Sequence, residues 1–117
     1  MQQTIPNVFL DRVSEKFRML SDPTRLSILR ALMSGEKNVG TVVAETSQNQ
    51  ANVSKHLKML TEAGMVCRRK EGLQVFYSVS DPLIERLCGL VCDTILEEAR
   101  ADVQRNQDLL KTWQGLD

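Results

Sequence analysis

Apolar side chains recur at helical spacing near the start of the chain. Val8, Phe9, Val13, Phe17 and Leu20 fall on one face, with Asp11, Arg12, Glu15, Lys16 and Arg18 mostly on the other. This predicts a first helix over 8–20. Asp22 then offers a side-chain acceptor for a helix start, and Pro23 suits the first helical position, where a missing N–H costs nothing. The second helix runs to about Ser34 through Leu26, Ile28, Leu29, Ala31, Leu32 and Met33, and Gly35 stops it. A short apolar segment, 39–46, is broken by Ser47, Gln48 and Asn49, the last of which can cap the next helix. From Gln50 to Ala63 one stripe carries Val53, Leu57 and Leu60 with Met59 beside it, and the opposite face carries Gln50, Asn52, Lys55 and Lys58. Gly64 ends that helix.

Two short strands come next, 65–70 and 73–80, with Val66, Val75, Phe76, Tyr77 and Val79 as strand formers and Lys70-Glu71-Gly72 as the turn. Asp81-Pro82 repeats the helix-start signal. From there to about Trp113 only Gly89 interrupts, giving a helix of about 48 Å. That exceeds what the core of so small a domain can cover, so something outside the protomer must cover it.

With 117 residues the chain reads as a single domain, 1–117. Hydrophobic residues at 42% and charged residues at 26% exclude wholesale disorder. No apolar run reaches a membrane span, and the first residues do not read as a secretory signal. Three cysteines, an odd number, fit a reducing cytoplasm rather than a disulfide framework. The formal net charge is zero. Its distribution changes the picture. Residues 1–46 carry six basic and five acidic groups, residues 47–80 five and two, and residues 81–117 four and eight. A positive middle with an acidic tail suits a chain that turns one face to an anion; chance clustering of solvated charge gives the same counts.

A short helix, a turn of about three residues and a helix with an amide-rich first half form a helix-turn-helix arrangement, here over 39–63. In such an arrangement the second helix enters the major groove. Gln50 and Asn52 can pair with adenine through their amides, and Ala51 lets the backbone approach or meets a thymine methyl. Ser54, Lys55, His56 and Lys58 are placed for phosphates. The hairpin brings Arg68, Arg69 and Lys70 to one end with Gln74 across the turn, a basic wing over 65–80 that can track the DNA backbone. A soluble helical domain with a solvated hairpin is the plainer alternative.

Leu20-Ser21-Asp22-Pro23-Thr24-Arg25-Leu26 with Ile28-Leu29, Gln50 to Leu60, Ala63-Gly64-Met65-Val66 and Gly72 to Tyr77 together resemble the ArsR/SmtB family of bacterial repressors over about residues 10–95. The resemblance implies a mainly α winged helix-turn-helix fold with a small β-hairpin: four helices, two strands and a long fifth helix. It implies a homodimer joined through the first and last helices, 8–20 and 82–114. It also implies repression by binding a palindromic DNA operator, released by an inducer.

The family's Cys-Val-Cys site in the third helix is replaced here by Lys37-Asn38-Val39-Gly40-Thr41, and the last helix lacks the histidines of the family's zinc site. Cys88 and Cys92 remain, four apart on the long helix and about 6 Å apart in rise. They suit a thiophilic metal or metalloid, or oxidation with no cofactor at all; equally they serve as small apolar residues at a dimer seam. Cys67, in the wing, reads as structural. His56 is the only histidine, so a histidine metal site is not expected. Cys92, Leu96, Ala99, Val103, Asn106, Leu110 and Trp113 form a heptad seam that either pairs across a dimer or folds back on the first helix.

Three functions compete: a thiol-responsive DNA-binding repressor, the same repressor without a small-molecule sensor, and a helical protein-interaction module. An enzyme is not expected, for no phosphate-cradling glycine loop or nucleophile–base arrangement is present.

Overall fold

The computed structural model describes residues 4–114. Its elements are α1 (Asn7–Leu20), α2 (Pro23–Met33), β1 (Lys37–Asn38), α3 (Val39–Thr46), α4 (Gln50–Glu62), β2 (Val66–Glu71), β3 (Gln74–Val79) and α5 (Pro82–Gln114). The chain divides after Pro82 into two compact units, the first holding α1 to β3 and the second the long helix.

Three helix starts are each fixed by a side chain. Asp22 Oδ1 accepts from the Arg25 N–H at 3.0 Å, Asn38 Oδ1 from Thr41 at 2.9 Å and Asn49 Oδ1 from Asn52 at 2.8 Å. The end of α4 is fixed as firmly. The Gly64 N–H bonds the Thr61 carbonyl and the Met65 N–H the Leu60 carbonyl, with Gly64 at φ 76° and Leu60 and Met65 both buried. That double bond pattern with its apolar clasp is the Schellman stop.

The core of the first unit is built from Met19 and Leu20 of α1, Ile28, Leu29 and Leu32 of α2, Val42 of α3, Val53, Leu57 and Leu60 of α4, and Met65 and Val66. Only the last turn of α1 joins it. Val8, Phe9, Val13 and Phe17, expected as one apolar face, do form a stripe, but it stays exposed.

The sheet has three antiparallel strands in the order β1-β3-β2, not two. Lys37 pairs with Tyr77 and Asn38 with Phe76. Two residues are too few for any alternation, so β1 left no pattern to read. The hairpin turn also lies further along than expected. Glu71 pairs with Gln74, which leaves Gly72-Leu73 as a two-residue loop with Gly72 at φ 61°. Glycine first and an ordinary φ at Leu73 match a type II′ turn, whose twist suits a tight hairpin. Lys70 and Glu71 therefore belong to β2.

Between α3 and α4, Ser47 takes a left-handed conformation, φ 56°, that favours glycine. Ser47→Gly is expected to raise stability by up to about 1 kcal/mol in urea unfolding, offset in part by the greater freedom of the unfolded glycine chain. A loss of stability would show that the Ser47 side chain contributes more than its backbone costs.

The Asp22 carboxyl lies below its ordinary value of 3.8, chiefly because it accepts from the Arg25 N–H, with the charges of Arg25 and His56 adding to this. A depressed native pKa means stability that is present above the unfolded value and lost as pH falls through the native one. Asp22→Asn keeps the cap acceptor but not the charge. Its thermal midpoint should lie below that of the parent at pH 6, and the gap should narrow as pH falls below 3.8; a constant gap would refute the assignment.

Candidate nucleic-acid interface

Val53, Leu57 and Leu60 have no exposed surface, which turns the other side of α4 outward. Gln50, Ala51, Asn52, Ser54, Lys55 and Lys58 are all exposed. Among the described residues the side chains of Gln50, Asn52, Ser54, Lys55 and Lys58 form no hydrogen bond or ion pair. The helix begins without an acidic residue in its first turn, so its positive dipole end is uncancelled and favours an anion. Amides at the tip, cations one turn later and a positive helix end are together suited to base edges flanked by phosphates.

His56 is placed differently from its neighbours. It is half-buried, and its Nδ1 lies 3.4 Å from Nη1 of Arg25. Nδ1 accepts there only in the tautomer that carries hydrogen on Nε2. Arg25 itself is buried, and it also donates to the carbonyls of Met19 at 2.8 Å and Arg18 at 3.1 Å in the last turn of α1, the second of which also accepts from the Ser21 N–H and hydroxyl. Sequence pattern alone did not mark Arg25 as a site residue. The available signal was slight: Arg25 is one of two cations, with Arg30, in the apolar run of α2.

Strand alternation separates the three basic residues of the wing. Arg68 and Lys70 share one face of β2, are exposed, and form no ion pair among the described residues. Arg69 lies on the other face. Its guanidinium grips Glu36 through two bonds, 3.0 and 2.7 Å, meets Glu71 at 2.7 Å, and stands 5.0 Å over the ring of Phe76, its partner across the ladder. Bonds from Glu36 and then Glu71 hold the Arg69 proton more firmly than usual, and the same bond from Arg69 lowers the Glu36 carboxyl. Arg69 is thus occupied in tying β2 to the segment just before β1. Gln74, also exposed, is reached by the Asn38 amide at 3.5 Å. Glu36 and Asn38, like β1 itself, went unread in the sequence.

The thiols are spread over both units. Cys67 stands 3.1 Å from the hydroxyl of Ser78, its ladder partner, with its side chain exposed. On α5 Cys88 is half-buried and Cys92 exposed. Burial pushes the Cys88 thiol up, and the neighbouring charge of Cys92 adds to this. Among the described residues no cluster of three or more His, Cys, Asp or Glu is arranged to hold a metal ion. On α5 one protomer carries two thiols, Cys88 and Cys92. Two such donors leave zinc two ligands short of its usual four. No described helix is long and apolar enough to cross a membrane.

The model of the arsR family of bacterial regulatory proteins matches residues 22–67, the stretch from the Asp22 cap into the wing. A probable mercury resistance operon repressor of Streptomyces lividans is 36% identical over 86 residues, covering 74% of this chain and 69% of that protein. The HTH-type transcriptional regulator CmtR of Mycobacterium tuberculosis is 38% identical over 79 residues, covering 68% and 67%. Among solved structures, a homodimeric winged helix-turn-helix DNA-binding domain from Mycobacterium bovis superposes with a TM-score of 0.72 at 30% identity, covering 84% of this chain and 91% of that one. The antimony-specific repressor AntR gives 0.77 at 26% identity, covering 85% and 90%. The exposed amide-bearing helix, the basic wing and these likenesses converge: the chain belongs to the arsR family of bacterial regulatory proteins and is a winged helix-turn-helix transcriptional repressor.

Proposed function

We propose that the chain acts as a homodimer in the cytoplasm, binding a palindromic DNA operator and leaving it when thiol chemistry occurs at Cys88 and Cys92. The observation that carries the DNA reading is the outward face of α4. Gln50, Ala51 and Asn52 meet base edges in the major groove. Ser54, Lys55 and Lys58, with Arg68 and Lys70 of the wing, meet phosphates. Arg69 and Gln74 serve the wing more than the DNA, since each already has a partner within the fold. A twofold partner is supported by the exposed apolar residues of α1 (Val8, Phe9, Val13, Phe17) and of α5 (Leu90, Val91, Ile95, Leu96, Val103, Leu110, Trp113). Uncovered stripes of this kind mark association surfaces. On α5 the heptad positions from Cys92 to Trp113 lie within that exposed set or beside it, and they carry the pairing beyond Leu96.

For the inducer, the names of relatives support a soft metal or metalloid: one is a mercury operon repressor and another is antimony-specific. Cys88 and Cys92 share a helix face and are the only thiols of α5. As thiolates they would hold such an ion. Bound there, it would supply two strong sulfur–metal bonds and so a means of favouring one arrangement of the α5 helices over another.

The test starts from a duplex selected by the wild-type chain from a random pool and continues with mobility-shift titration. Alanine at Lys55, Arg68 or Lys70 should weaken binding to every sequence and reduce the salt slope by about 1 each. Alanine at Gln50 or Asn52 should instead relax preference at particular base pairs by about 1–3 kcal/mol. Arg69→Ala should leave the salt slope nearly unchanged. If all six changes act alike, these roles are wrong. If no duplex is selected at all, the DNA reading fails.

Release by a thiophilic ion should be abolished in Cys88→Ser and in Cys92→Ser with DNA binding intact. Because Cys88 is held as a thiol near neutrality, each bound ion must displace protons. The concentration of Cu(I) needed for half-release should therefore fall as pH rises from 6 to 8, by up to about tenfold per pH unit for each proton displaced. A flat profile, or release that survives both serine variants, would place the inducer elsewhere.

A further inference from the structure

Within the first unit α4 is held by its apolar edge, Val53, Leu57 and Leu60. Apolar contacts resist pulling the helix away. They resist turning it about its own axis much less, since they are not directional. Reading base edges requires that turning be limited, for a rotation of about 10–20° is enough to misplace the paired groups. A directional contact to α4 from the rest of the unit is therefore informative, and the structure has one: Arg25 Nη1 to His56 Nδ1, 3.4 Å.

The other end of that contact is anchored. Arg25 is the only buried charged residue among the described residues, with 8% of its surface exposed. Its Nε bonds the Met19 carbonyl and its Nη2 the Arg18 carbonyl, both in the last turn of α1. Its backbone N–H is bound by Asp22. One planar guanidinium thus spans three elements: it grows from α2, closes the end of α1 and reaches α4. A lysine has no fork with which to do this.

We propose that Arg25 is a positioning residue for DNA binding, fastening the rotation of α4 through His56 to the last turn of α1. The inference rests on the reading of α4 as the DNA-contacting helix. It assigns His56 a role apart from its neighbours: His56 holds the helix in register, and Gln50, Asn52 and Lys55 do the contacting. It also supplies a route by which a shift of α1, a helix whose outward face is apolar, reaches the amides of α4 without contact between α1 and DNA.

The experiment measures affinity for the wild-type-selected duplex in His56→Asn, His56→Leu, Arg25→Lys and the double variant Arg25→Lys/His56→Leu. Thermal unfolding confirms that each is folded at the assay temperature. Asn offers an acceptor oxygen where Nδ1 stood; Leu offers none. His56→Leu should lose about tenfold in affinity, His56→Asn no more than about threefold, and the double variant no more than the worse single change, because the pair acts as a unit. Equal losses for Asn and Leu, or losses that multiply in the double variant, would mean that His56 acts independently of Arg25 and overturn the proposal. Unchanged affinity in His56→Leu would overturn it as well. If Arg25→Lys does not fold, the Asn and Leu variants at His56 decide the matter. Failure of the wild-type chain to select any duplex refutes the DNA reading itself; a selected duplex bound equally by His56→Leu refutes only the positioning role.

Discussion

The seating of α4 is the constraint on which the first unit turns. Three side chains, Val53, Leu57 and Leu60, are spaced four and three apart and lose all exposure. Each contributes about 1.5–3 kcal/mol by leaving water, so no seating on another face competes. The polar side then has nowhere to go but outward, because burying Gln50, Asn52 or Lys55 unpaired would cost more than it returns. The caps sharpen this. Asn49 starts the helix and Gly64 stops it, so neither the first amide nor the last leucine can slide by a turn. The chemistry of the exposed face thus derives from the packing of the hidden one.

Where a pattern repeats, the sequence carried the structure plainly. The starts at Asp22 and Asn49, the stripe of α4, the stop at Gly64 and the uninterrupted run of α5 each announce themselves through several residues that agree. The features that stayed hidden are short or depend on distant partners. β1 has two residues and exists only because Tyr77 and Phe76 lie beside it. The turn lay one residue beyond its expected place because strand ends are set by the ladder, and Glu71 gains a partner in Gln74. The reading of Arg69 as one of three equivalent cations missed Glu36, thirty-three positions away along the chain. Arg25 was invisible for the same reason, since its acceptors are backbone carbonyls of another helix.

That pairing of Arg69 changes how the charge of the middle segment should be weighed. Counting charges gives residues 47–80 five cations against two anions. Arg69, though, is neutralised locally by Glu36 and Glu71 and screened by Phe76. The cations left for an anion are Lys55 and Lys58 on α4 and Arg68 and Lys70 on one face of β2. The field is weaker than the raw count suggests and better directed, because strand alternation sorts the fork that builds the wing from the two side chains that project from it.

An inducer acts only by binding two states of the protein unequally. In the proposed mechanism, those states would differ in how α5 meets a second copy. Under the proposed thiol mechanism the two sulfurs, on a helix of 33 residues, would be placed to register such a difference. The cost of binding is set by the same residues. Under the proposed thiol mechanism Cys88, half-buried and with its thiol pushed up, would have to give up a proton to bind an ion. Only ions whose sulfur bonds outweigh that deprotonation would engage.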